Sequence, residues 1–164
     1  MKTITFIGNG NMALSIAQGL KDTYNIEVVG RDMAKLTKFE KNLDIDVKKS
    51  LIDGFLLDNK TVILCVKPAN VEEVSSKLQG KAKVIYSVLA GTTIEKLQQH
   101  FKADATVRVM PNLAASVGKS MTTMCGNEEF KDEAKELFSS IGSTRWLSSQ
   151  KEIDIATALA GSGP

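Results

Sequence analysis

Gly8-Asn9-Gly10-Asn11-Met12-Ala13 follows the apolar run Ile4-Thr5-Phe6-Ile7 and opens a stretch with helical periodicity over residues 12–20. The order is strand, glycine turn, helix start, which is the setting a dinucleotide fingerprint requires. Gly8 admits the tight turn. Gly10 has no Cβ, so a pyrophosphate can come up against the main chain. Ala13 stands where a third glycine is usual and still lets helix and strand pack closely. The unpaired N–H groups and the dipole at the helix start attract an anion. A G-x-G-x-x-A match is weak by itself. The strand before it, and the helix and second strand after it, favour a cofactor site over a plain structural turn.

Strand and helix signals alternate from there almost to the end. Residues 26–29 read as a second strand. Asp32 suits the cap of a helix whose Leu36, Phe39 and Leu43 share a face. Ile45 and Val47 suggest a short third strand, and residues 51–57 a short helix weakened by Gly54. The run 61–66 is nearly all apolar and β-branched, as in a strand covered on both faces, and Pro68 ends it. A helix with Val71, Val74 and Leu78 inward leads to a fifth strand at 84–88. Thr92 and Glu95 fit a capping box for a helix carrying Ile94, Leu97 and Phe101. The sixth strand, 106–110, stops at Pro111. Beyond it, a strand at 120–125, a helix at 128–141 stopped by Gly142, a strand at 143–147 with Trp146, and a helix at 152–159 capped by Ser149 and Glu152 complete the pattern. Repeated strand–helix units with short connections imply an α/β, Rossmann-type, doubly wound and mostly parallel sheet, with extra strands after the sixth. Residues 1–150 form the dinucleotide-binding unit in this reading, and 151–164 begin a connection.

Bulk properties set limits. The 164 residues suffice for one domain with a real core. A net charge of +2, from 21 basic and 19 acidic residues, argues against nucleic acid or a membrane surface as partner. No apolar run approaches a membrane span, and no export signal is read at the start; a cytoplasmic location is expected. Cys65 and Cys125 lie far apart in strand-like segments, as buried reduced thiols do. With a single histidine and no C-x-x-C, no metal site is expected.

In such a sheet ligands bind beyond the carboxyl ends of the strands, where strand order reverses. Four turns matter: 8–13, Gly30-Arg31-Asp32, Val66-Lys67-Pro68 and Leu89-Ala90-Gly91. An NAD site usually carries an acid at the end of the second strand for the ribose 2′-hydroxyl. Arg31 stands there instead, and its charged fork suits a 2′-phosphate. NADPH is therefore favoured, with NADH as the lesser alternative. Asp32 reads as a helix cap rather than a ribose ligand. Lys67 lends main-chain atoms to the ribose and nicotinamide path rather than a catalytic amine. Ala90 and Gly91 are small where bulk would block the nicotinamide. They also fit a tight turn into the Thr92 cap. His100 suits a helix C-terminus. Ser87, Tyr86 and Ser116 show no partners for nucleophilic catalysis. Arg108 reads as buried and paired, Asn112 as a turn residue, and no catalytic residue is assigned.

Several separated segments agree with one family. Gly8-Asn9-Gly10-Asn11-Met12-Ala13, Val66-Lys67-Pro68, the S-x-x-A-G run from Ser87 to Gly91, Arg108-Val109-Met110-Pro111-Asn112 and the terminal Ala158-Leu159-Ala160-Gly161-Ser162-Gly163-Pro164 resemble pyrroline-5-carboxylate reductase in content and order. The V-K-P, M-P-N and G-S-G-P segments are the more specific of these. The resemblance implies NAD(P)H-dependent reduction of a small cyclic imine, 1-pyrroline-5-carboxylate, to L-proline. It implies cofactor contacts from Gly8, Asn9, Gly10, Asn11, Met12, Ala13, Arg31, Cys65, Val66, Lys67, Pro68, Val88, Ala90 and Gly91. It also implies a homo-oligomer whose helical dimerisation domain follows G-S-G-P and supplies most of the imine pocket. This chain would then be the cofactor half of a longer protein. Gly161, Gly163 and Pro164 would mark a helix break before that domain. Two residues depart from the family pattern: Leu113 stands where threonine is frequent, and Gly30 where asparagine is. The alternatives carried beside this reading are a non-catalytic NADP(H)-sensing module and a 3-hydroxyacid-dehydrogenase-like oxidoreductase.

Overall fold

Alternate residues of each central strand feed two separate apolar layers, as a strand covered on both faces demands. A computed structural model of the chain describes residues 1–162. Its strands are β1 (Thr3–Ile7), β2 (Asn25–Gly30), β3 (Lys48–Leu51), β4 (Thr61–Leu64), β5 (Ala82–Ser87), β6 (Ala103–Met110), β7 (Ser120–Gly126) and β8 (Gly142–Trp146). Its helices are α1 (Asn11–Leu20), α2 (Met33–Leu43), α3 (Val71–Lys77), α4 (Ile94–His100), α5 (Lys131–Ser139) and α6 (Gln150–Ser162). The eight strands form one sheet in the order β3-β2-β1-β4-β5-β6-β7-β8. The first six follow the doubly wound order of dinucleotide-binding folds. Only the β6–β7 pairing is antiparallel; β8 pairs parallel with β7, so these last two strands run opposite to the first six.

One layer gathers Ile4, Phe6, Val28, Ile63, Tyr86 and Val107 beneath α1, α2 and α5. The other gathers Ile7, Val29, Val62, Leu64 and Ile85 beneath α3, α4 and the 52–57 segment. Strand order reverses between β1 and β4. At that point the N–H of Gly8 donates to the Val29 carbonyl at 2.9 Å and the N–H of Cys65 to the Ile7 carbonyl at 2.8 Å. The carboxyl ends of three strands are thereby held open around one crevice.

Several expected elements shift. The third strand is Lys48–Leu51 rather than 45–47, because β3 pairs with β2 from Glu27 to Gly30 and that register fixes its start. Residues 51–57 do not form a helix. The strand ends, the chain turns at Gly54 with a φ of 74°, and Phe55–Leu56 pairs with Leu78–Gln79 in a separate two-stranded ribbon. Val66 lies beyond the end of β4, and the 128–141 helix opens with a 3-10 turn before α5. The cap of α4 is Thr93, not Thr92: its hydroxyl accepts from the Lys96 N–H at 3.1 Å. Thr92 is buried instead and donates to the Ala90 carbonyl. The Ser149 cap holds, accepting from the Glu152 N–H, while the Glu152 carboxylate reaches back to Ser148. Helix α6 begins at Gln150 and continues through Gly161 to Ser162, so no break occurs at Gly161. Gly163 and Pro164 lie outside the described residues.

Candidate functional site

A cleft of about 350 Å³ opens at the strand-order reversal. Its walls include Gly8, Asn9 and Gly10 from the fingerprint turn, Arg31 beyond β2, and Cys65, Val66 and Lys67 beyond β4. Gly8 makes the turn at a φ of 109°, and a Cβ there would lie 2.4 Å from the Cys65 carbonyl oxygen. A Cβ on Gly10 would meet no atom within 4 Å, so its missing side chain leaves cleft space beside the main chain. Gly10 is also the N-cap of α1, and no side chain caps that helix start. The first-turn amides therefore keep their capacity to bind an anion. Main chain bared at the two glycines of the turn, and a helix start with no side-chain cap, fit a pyrophosphate.

The far end of the cleft is charged. Asp32 caps α2, its carboxylate accepting from the Ala34 N–H at 2.9 Å, as its sequence context suggests. Arg31 and Lys35 place two cations on the same wall. This pairing suits a phosphate monoester better than a bare ribose. Arg31 is exposed and lies 3.6 Å from the Glu73 carboxylate on α3. Lys35, Ile52, Asn70 and Val74 line the cleft without having been singled out from sequence. Lys35 sits one helical turn along from a visible cap, a signal that spacing alone could have supplied.

Not every expected residue meets the cleft. Asn11, Met12 and Ala13 form the first turn of α1; Met12 and Ala13 turn their side chains into the core. Pro68 starts a short 3-10 turn, Pro68–Asn70. Val88, Ala90 and Gly91 follow β5 and stand outside the cleft walls. Val88 packs on the core, its N–H donating to the Leu64 carbonyl at 3.1 Å, and Gly91 makes the turn at a φ of 65°. All of them remain at the carboxyl edge of the sheet, but the structure joins only the first three turns into one concave surface.

Reactive groups are few. Burial pushes the Cys65 thiol above its ordinary value, which opposes formation of the thiolate. Burial likewise raises the Tyr86 phenol, whose hydroxyl has no partner. Among the described residues no group of three or more histidine, cysteine, aspartate or glutamate side chains gathers as a metal site would require. No helix of the described residues is long and apolar enough to cross a membrane.

Arg108 is the largest fully buried side chain. Its Nη2 donates to the Asp154 carboxylate at 2.8 Å and its Nη1 to the Gln150 side-chain oxygen at 3.4 Å, both on α6. Asn112 caps the turn after β6, accepting from the Ala114 N–H at 2.9 Å. Both roles are the structural ones the sequence suggests.

Residues 3–91 match the family described as NADP oxidoreductase, coenzyme F420-dependent. A pyrroline-5-carboxylate reductase of Glycine max is 37% identical, aligned over 99% of this chain and 63% of its own length. One from Haemophilus influenzae is 33% identical, over 99% and 64%. The crystal structure of 1-pyrroline-5-carboxylate reductase from Streptococcus pyogenes superposes with a TM-score of 0.80 at 31% identity, covering 96% of this chain and 62% of that one. The chain thus spans a little under two thirds of the length of these relatives. The glycine turn, the strand order and these matches agree: the chain belongs to the NADP oxidoreductase, coenzyme F420-dependent, family, and is similar along almost its whole length to part of pyrroline-5-carboxylate reductases.

Proposed function

We propose that this chain is the cofactor-holding part of a reductase that uses NADPH to convert 1-pyrroline-5-carboxylate to L-proline. The observation that carries the reading is the cleft itself. It has a glycine turn that no side chain could replace at Gly8, an uncapped α1, and the Arg31 and Lys35 cations at the end where a 2′-phosphate would lie. The similarity to named reductases supplies the substrate class.

Bound NADPH would supply a hydride to the imine carbon. The residues of this chain hold and orient the dinucleotide. Gly8, Asn9, Gly10, Asn11, Met12 and Ala13 would present main-chain amides to the pyrophosphate. Arg31 would take the 2′-phosphate. Cys65, Val66, Lys67 and Pro68, then Val88, Ala90 and Gly91, would border the path toward the nicotinamide. Orientation is the main lever in hydride transfer, and among the described residues no histidine lines the cleft. In this reading residues 1–150 are the cofactor unit and 151–164 begin a connection. The complete protein is a homo-oligomeric cytoplasmic enzyme, with its proton donor and imine contacts in a further domain.

Separate titrations of NADPH and NADH into the wild-type chain and Arg31→Ala test the proposal. Both dinucleotides should bind, NADPH more tightly, and Arg31→Ala should weaken NADPH about ten-fold or more while sparing NADH. Equal weakening of both would remove Arg31 from the 2′-phosphate, and failure of both to bind would end the reading.

A further inference from the structure

We propose that Glu73 sets the preference between 2′-phosphorylated and 2′-hydroxyl dinucleotides, by holding Arg31 in an ion pair across the mouth of the cleft. The inference rests on the cleft being the dinucleotide site. Arg31 leaves the end of β2 on one wall, and Glu73 stands in the first turn of α3, beside Val74 of the opposite wall. Their charged atoms lie 3.6 Å apart. Lys77, one turn along α3, lies 3.6 Å from the same carboxylate oxygen and keeps Glu73 turned along the helix.

Both partners of the pair are more than half exposed, at 61% and 52%. Such a pair is weak and exchanges readily, so it is a competitor rather than a lock. A phosphate monoester carries close to two negative charges at neutral pH and takes a guanidinium in a forked contact. To form that contact Arg31 must leave Glu73, and Glu73 then remains as a like charge beside the phosphate. A 2′-hydroxyl makes neither demand. Glu73 therefore penalises NADPH and not NADH. Asp32, the carboxylate that lines the cleft itself, is held as the cap of α2. Glu72, in the same first turn as Glu73, makes no ion pair with Arg31.

Binding of NADPH and NADH to the 164-residue chain at low salt, followed by calorimetry, tests this in wild type, Glu73→Gln, Glu72→Gln, Arg31→Ala and the Arg31→Ala/Glu73→Gln double variant. Glu73→Gln should tighten NADPH about three- to ten-fold, leave NADH within about two-fold, and lose its advantage as salt is raised. Glu72→Gln should leave the ratio where it is, and the gain should vanish in the Arg31→Ala background. An equal change for both dinucleotides, an unchanged NADPH affinity, or a gain that survives Arg31→Ala would each overturn the role of Glu73 while leaving the cleft as the cofactor site. A wild-type chain that binds neither dinucleotide removes the cofactor reading, and this inference with it.

Discussion

Gly8 is the position where one added methyl group would do most harm. Its φ of 109° is a conformation that L side chains rarely adopt, and the new Cβ would sit 2.4 Å from a main-chain oxygen that cannot move aside without breaking the β1–β4 junction. Gly8→Ala should cost about 3 kcal/mol in urea unfolding and abolish dinucleotide binding; a loss under about 1 kcal/mol would show that the junction yields. Tyr86 presents the opposite case. Its ring packs edge-on against Phe138 with centroids 5.3 Å apart, but its hydroxyl is buried without a partner. Removing an unsatisfied buried hydroxyl while keeping the ring relieves a desolvation cost. Tyr86→Phe should leave stability unchanged or raise it by up to about 1 kcal/mol, and a clear loss would mean that the hydroxyl is satisfied in solution. Gly30 is a subtler residue. A Cβ there would come within 2.9 Å of the Asn9 side-chain oxygen and 3.0 Å of a Leu36 methyl. Any side chain at this position would require the Asn9 amide to turn aside.

The amino-terminal end of the sheet is held by a charge that the strand pattern hides. Glu27 is fully buried in β2, where a continuous apolar run would be expected. Its carboxylate accepts from the Thr5 hydroxyl at 2.7 Å and the Lys60 ammonium at 3.0 Å, joining β1, β2 and the start of β4. Burial opposes its ionisation, but the Thr5 and Lys60 hydrogen bonds and the Lys60 and Lys48 charges outweigh that and hold its carboxyl below the ordinary glutamate value. A carboxyl lowered in the folded state stabilises the fold above the unfolded value, and that contribution is lost as pH falls through the folded one. Stability should therefore fall on acidification below about pH 4.5, and Glu27→Gln should flatten that part of the pH profile while lowering stability at neutral pH. An acid limb of unchanged slope would assign it to other carboxylates. This element also shows what a single sequence conveys. The pattern of β1, α1, β2 and α2 is legible because each element carries its own signal: an apolar run, a glycine turn, a cap. Strand β3 is not, because Lys48-Lys49-Ser50-Leu51 becomes a strand only by pairing with β2. The two-residue ribbon at Phe55–Leu56 depends likewise on Leu78–Gln79. At the cleft, the glycines and Arg31 announce themselves through local chemistry. Glu73 does not, because its meaning lies in a contact across two elements.

At the scale of the molecule, α6 is fastened to the sheet by polar groups as well as by the buried Ile153. Strand β6 sends Ala105, Val107 and Val109 into one core layer, so alternation puts Thr106 and Arg108 on the other face. There Arg108 is covered and meets Gln150 and Asp154 of α6. Gln150 in turn accepts from the Ile94 N–H at 2.8 Å and donates to the Glu95 carboxylate, tying α6 to the start of α4. That hydrogen bond is the main influence holding the Glu95 carboxyl below its ordinary value. The Nε of Arg108 has no partner, so the buried cation depends on these two acceptors, and losing one leaves it poorly compensated. Asp154→Ala should cost about 1–2 kcal/mol, a modest sum because Asp154 is half exposed and water can take part of its place. Arg108→Met combined with Asp154→Ala should recover part of that loss, since an apolar side chain of similar length has no charge to satisfy. Hydrogen exchange should locate the damage: α6 amides should exchange faster in Asp154→Ala, while those of β1, β4 and α1 stay protected and the affinity for NADPH is unchanged. Additive losses in the double variant, or weakened NADPH binding in Asp154→Ala alone, would show that α6 and the cleft are one cooperative unit and not a cofactor domain with a separately clamped helix.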